Sequence, residues 1–167
     1  MSFTDWTFET SARTDFGFQA TYSLDVSTKI EGNGSLKTYI STGAYYATVK
    51  ATRNNFSSTQ LQVVLYVRVS STSCPGQVGH SSYGNATLPA SAANTWDRFR
   101  VTFWYDSTTN TKFIRVERWD PSTNSWVQQG DTNAGTGAPA AGSFYLYFSG
   151  SNTTATAWFD DIYVYTV

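Results

Sequence analysis

The sequence predicts an all-β protein: a two-sheet antiparallel β-sandwich of the jelly-roll type, with about ten strands in one domain spanning 1–167. Three observations predict it. Apolar and polar residues alternate with period two through most of the chain, and no window keeps an apolar i, i+3, i+4, i+7 pattern. Gly, Ser, Thr and Asn clusters cut that alternation at short intervals. Composition agrees: 20 Ser and 25 Thr, 17% aromatic residues and only 14% charged residues favour strands over helices.

In chain order the alternation predicts strands over Trp6–Glu9, Phe16–Leu24, Ser35–Ile40, Tyr45–Ala51, Gln60–Ser70 and Ser82–Leu88. It predicts further strands over Trp96–Tyr105, Lys112–Trp119, Ser125–Gln128, Ser143–Ser149 and Ala157–Tyr165. Faces follow from the phase. In Gln60–Ser70 the set Leu61, Val63, Leu65, Val67 and Val69 is unbroken and faces the core, leaving Gln60, Gln62, Tyr66 and Arg68 outside. In Trp96–Tyr105 the core set is Phe99, Val101, Phe103 and Tyr105. In Lys112–Trp119 it is Ile114 and Val116.

The polar turn 106–111 makes the last two of these strands a hairpin. If Tyr105 lies opposite Lys112, then Trp104 meets Phe113, Thr102 meets Arg115, Arg100 meets Glu117 and Arg98 meets Trp119. Arg100 gains a carboxylate and Arg98 a ring face. The outer face then carries Trp104, Trp119, Arg98, Arg115, Glu117, Gln62, Tyr66 and Arg68 as candidate ligand-binding residues. Sugars have apolar faces that stack on aromatic rings and hydroxyls that bond to such polar groups. Cover by loops, or by a neighbouring subunit, is the competing use of the same face.

Several classes are disfavoured. Lys and Arg total 11 against 12 Asp and Glu, which gives no basic field for nucleic acid or an anionic membrane. No run approaches the length of a membrane-spanning helix. One Cys, Cys74, and one His, His80, rule out an internal disulfide and any multi-cysteine or paired-histidine metal site. His80 reads as a loop histidine and Cys74 as a half-buried free thiol. A glycosidase needs two carboxylates across a cleft. Only Glu9, Glu31 and Glu117 are glutamates, and an arginine partner makes Glu117 a poor proton donor. The protein therefore reads as non-catalytic.

The closing run Trp158-Phe159-Asp160-Asp161-Ile162-Tyr163-Val164-Tyr165 puts Asp160 in phase with Ile162 and Val164. If those two face the core, so does Asp160. A buried carboxylate needs compensation, from a calcium ion or from backbone N–H groups.

The opening Asp5-Trp6-Thr7-Phe8-Glu9-Thr10, then Gly32-Asn33-Gly34-Ser35-Leu36-Lys37, then Phe159-Asp160-Asp161-Ile162 resemble, in order along the whole chain, jelly-roll carbohydrate-binding modules. Thr95-Trp96-Asp97-Arg98-Phe99-Arg100-Val101 is similar to a strand element of concanavalin-like sandwiches. The resemblance implies a lectin-like fold and a structural calcium held by the opening Glu and closing Asp, here Glu9 and Asp160. Such motifs specify fold better than ligand.

Two functions are expected. One is a virion-surface structural or attachment protein, such as a capsid decoration or tail-associated sandwich, prompted by a start without a basic, apolar leader. Its partner would be a glycan or a neighbouring virion subunit, within a closed homo-oligomer. The alternative is an extracellular carbohydrate-binding module excised from a secreted polysaccharide-degrading enzyme.

Overall fold

The computed structural model describes residues 7–12, 19–41, 46–56, 60–151 and 153–166. Among them twelve strands run in chain order: β1 (Thr7–Ala12), β2 (Gln19–Asp25), β3 (Ser35–Ser41), β4 (Tyr46–Phe56), β5 (Gln60–Val69) and β6 (Gly76–His80). The second half holds β7 (Gly84–Leu88), β8 (Trp96–Asp106), β9 (Thr111–Asp120), β10 (Ser125–Thr136), β11 (Gly142–Ser151) and β12 (Thr154–Thr166). They form a five-stranded sheet, β1-β4-β11-β6-β7, and a seven-stranded sheet, β10-β9-β8-β5-β12-β3-β2. Every pairing is antiparallel. This is the expected two-sheet sandwich. The expectations at Trp6, residues 16–18 and Tyr45 lie outside the described residues.

The core fills with the side chains that alternation assigned inward. Leu61, Val63, Leu65, Val67 and Val69 of β5 are buried, with Phe99, Val101 and Phe103 of β8 and Ile114 and Val116 of β9. Phe144, Leu146 and Phe148 of β11 meet them from the other sheet. Tyr105, at the end of its strand, is only half-buried, and its hydroxyl donates to Asn110 Oδ1 at 2.7 Å.

Two turns of one design fix the order of β8, β9 and β10. Asp106 Oδ1 accepts the Thr108 N–H at 2.8 Å, and Asn110 takes a left-handed φ of 52°. Fourteen positions on, Asp120 Oδ1 accepts the Ser122 N–H at 2.8 Å, and Asn124 again has φ 52°. The Asp carboxylate closes each turn by accepting the backbone N–H two residues on, and Asn tolerates the left-handed conformation.

Three elements depart from expectation. Strand β6, Gly76-Gln77-Val78-Gly79-His80, replaces the expected loop, with Val78 and His80 fully buried. Gly79 is required there, since a side chain would strike the Tyr145 ring. Strand β10 runs eight residues past Gln128, through register shifts at Gln128/Gly130 and Asn133/Thr136. Strand β12 carries a bulge between Asp160 and Tyr163, with Asp161 at φ 48°. The bulge inserts a residue and reverses the phase.

His80 is thus a core histidine. Its Nδ1 accepts the Ser82 N–H at 3.2 Å, so the proton sits on Nε2, which is buried with no partner. Tyr83 and Phe103 rings flank it at 5.4 and 6.3 Å. Burial pushes its pKa below the ordinary 6.5. The unfolded chain therefore takes up this proton first as pH falls. We predict that stability is unaffected by His80 above pH 6.5 and declines below it, by up to about 1.4 kcal/mol per pH unit, until the folded pKa is passed. The carboxylates of Asp25 and Asp131, held below their ordinary 3.8, add losses only in more acid solution. Urea midpoints of the protein and of a His80→Phe variant should converge above pH 7 in their pH slope. Equal slopes between pH 6.5 and 5 would refute the assignment.

A candidate ligand face on the seven-stranded sheet

The outer face of the seven-stranded sheet is a grid whose rows follow from the pairing. One row is Lys37, Trp158, Arg68 and Trp96, from β3, β12, β5 and β8. The next is Asp160, Tyr66 and Arg98. Then come Tyr163, Val64, Arg100, Glu117 and Gln128, followed by Tyr165, Gln62, Thr102, Arg115 and Asp131. The last is Gln60, Trp104, Phe113 and Asn133.

The expected hairpin register is the observed one from Tyr105↔Lys112 through Arg100↔Glu117. Arg100 grips Glu117 with Nε at 2.6 Å and Nη2 at 2.7 Å from the two carboxylate oxygens. Arg115 makes the same fork on Asp131, at 2.8 Å on both arms, and Asp131 sits below its ordinary pKa because of it. Trp104 stacks on Phe113 at 5.1 Å and 18°, and the Arg115 guanidinium lies 5.4 Å from the Trp104 ring centre. Gln62 donates to Thr102 Oγ1 at 3.2 Å. Side chains held this way lose little freedom when a ligand arrives.

One expected contact is corrected. Arg98 does not lie over Trp119. Its guanidinium is 5.6 Å from the centres of both Tyr66 and Trp126, and Arg100 lies 4.7 Å from Trp126. Trp126 enters from β10 opposite Trp119, against which it packs edge-on at 5.3 Å. The eight candidate residues accordingly fall into separate groups. Tyr66, Arg98 and Trp119 line a cleft of about 600 Å³ with Trp96 and Arg118. Gln62, Trp104, Arg115 and Glu117 line a more open depression of about 400 Å³ with Arg100 and Thr102. Arg68 lies apart, 5.2 Å from the Trp158 ring.

Sequence reasoning passed over Trp126, Asp131, Tyr163 and Tyr165. The tyrosines are 46% and 47% exposed, with rings stacked at 6.4 Å and 19°. Tyr163, beside the Asp161 and Glu31 carboxylates, has its pKa pushed up to about 12, so its hydroxyl remains a donor. Their alternation with Ile162 and Val164 was the available signal.

Asp160 is buried, but not between the sheets. It shares the outer phase of Trp158, and the bulge alone returns Ile162 and Val164 to the core. The 26–34 loop covers it. Its Oδ2 accepts N–H groups of Ile30 at 2.7 Å and Glu31 at 3.3 Å, and its Oδ1 accepts that of Asp161 at 2.8 Å. Backbone donors therefore satisfy the carboxylate. Glu9 pairs with Lys50 at the backbone, on β1 of the other sheet, and its side chain lies outside the described residues. No group of three or more His, Cys, Asp or Glu is gathered for a metal among the described residues. Cys74 is fully buried rather than half-buried. Its Sγ donates to the Ser149 carbonyl, and burial pushes the thiol up to about 11.

No family model matches the chain, and no curated protein is similar to it in sequence. Solved structures are similar in fold. The cellulose-induced protein Cip1 shares 14% identity over 100% of this chain and 94% of that one, at a TM-score of 0.61. The enzymatically active domain of bacteriophage CBA120 tailspike protein 4 shares 11% over 99% of this chain and 20% of that one, at 0.53. TmCBM61, solved with β-1,4-galactotriose, shares 9% over 99% and 90%, at 0.48. The likeness to Cip1 and to the tailspike domain is one of fold, a two-sheet antiparallel β-sandwich.

Proposed function

We propose that the protein is a non-catalytic, extracellular carbohydrate-binding module that holds a polysaccharide along the outer face of the seven-stranded sheet. The observation that carries this reading is the exposed Tyr163–Tyr165 stack on the same rows as two arginine–carboxylate forks. Apolar sugar faces fit the rings, and hydroxyls fit the oriented donors and acceptors beside them. The Glu117 and Asp131 carboxylates of these rows are each tied to an arginine, which suits fixed acceptors better than a general acid and base. The tailspike likeness is one of fold, so the virion-surface reading is not the one we adopt.

Native gel electrophoresis through a panel of soluble polysaccharides tests the proposal. At least one polymer should retard the protein relative to a non-binding standard. Unchanged mobility throughout the panel would overturn it.

A further inference from the structure

The grid leaves two cations uncompensated. Arg68 stands opposite Trp96, and Arg98 opposite Tyr66, so they are diagonal neighbours on β5 and β8, roughly 7 Å apart at the backbone. Each guanidinium is laid against aromatic rings, Arg68 on Trp158, Arg98 on Tyr66 and Trp126. In each, Nε is buried without a hydrogen-bond partner. Neither forms an ion pair among the described residues, unlike Arg100 and Arg115 on the same face.

The nearby carboxylates are already engaged. Asp25 accepts from the Trp158 indole N–H at 2.9 Å and from Ser27 and Thr28, and Lys37 lies 3.8 Å away. Asp97 accepts the Ser91 N–H at 2.7 Å, and Glu117 is held by Arg100. Asp160 is held by its three backbone donors. A guanidinium short of acceptors at a half-buried site is poised for an incoming anion, and its remaining N–H groups suit planar or tetrahedral oxyanions.

From this we infer that the polysaccharide is acidic, with carboxylate or sulfate ester groups seated separately on Arg98, in the cleft, and on Arg68, beside Trp158. The inference rests on the proposed glycan-binding reading and adds the ligand's charge class. The chain's near-neutral balance and the two local pairs point to discrete anionic groups rather than a long phosphate track.

The test compares gel retardation by polygalacturonate, its fully methyl-esterified form, dextran sulfate, neutral dextran and galactan, and a single-stranded DNA oligomer. The protein and the R68Q/R98Q variant are run together, with circular dichroism and melting curves to verify the variant's fold. Retention by polygalacturonate or dextran sulfate, weakened at least tenfold in R68Q/R98Q and by added salt, would support the inference. The polymer retained tells carboxylate from sulfate. Retention by neutral or esterified polymers alone would overturn the acidic ligand while leaving glycan binding intact. Equal retention by DNA, or acidic binding unchanged in R68Q/R98Q, would overturn it too. No retention by any polymer would remove both readings. If R68Q/R98Q does not fold, R98K replaces it: a lysine keeps the charge but not the fork, and undiminished acidic binding would then refute the fork.

Discussion

Asp160→Ala is expected to lower folding stability by about 3 kcal/mol. Three N–H groups of Ile30, Glu31 and Asp161 converge on this carboxylate, which is 0% exposed. Truncation strands those donors under the loop, and an orphaned buried donor costs more than a typical hydrogen bond contributes. Asp160→Asn keeps one acceptor oxygen and should lose about half as much. Because backbone donors already meet the charge, a chelator should leave the melting midpoint in place. Urea titration of the variants is the measurement. A loss under about 1 kcal/mol for Asp160→Ala would show that the loop's backbone finds other partners.

Replacing both Tyr163 and Tyr165 by alanine should weaken polysaccharide binding by about 2 kcal/mol or more. The rings are nearly half exposed, so their loss should shift folding by only about 0.5 kcal/mol. Trp104→Ala should weaken binding by a similar amount. It should also cost the fold more, since Trp104 packs on Phe113 and under Arg115. Binding that survives the tyrosine pair but fails with Trp104 would move the contact to the depression around Arg115. Binding indifferent to all three would show that the rings serve only to cover the sheet.

Much of this face was legible because a polar turn sets its register. The 106–111 turn placed Arg100 on Glu117 and Trp104 on Phe113 by counting alone. What escaped has local causes. Strand β6 is five residues long with two glycines, too short and too plain for alternation to show. Beyond Gln128, β10 is an exposed outer strand with no buried phase to mark it. Reading past Gln128 would still have left Trp126 unplaced, because its position against Arg98 and Arg100 depends on sheet order. Asp160 was correctly expected to be buried and compensated, but one inserted residue in β12 put it on the opposite face.

The register shifts in β10 bear on association. This strand ends the seven-stranded sheet, twelve residues long and largely exposed, with backbone groups open along one side. A straight ribbon of that length would be a template for adding another chain's strand, the usual route to aggregation. The shifts at Gln128/Gly130 and Asn133/Thr136 break the run of evenly spaced donors and acceptors and bend the strand, and Asp131 puts a charge between them. Strand addition is thus hindered at this edge, with no covering helix among the described residues.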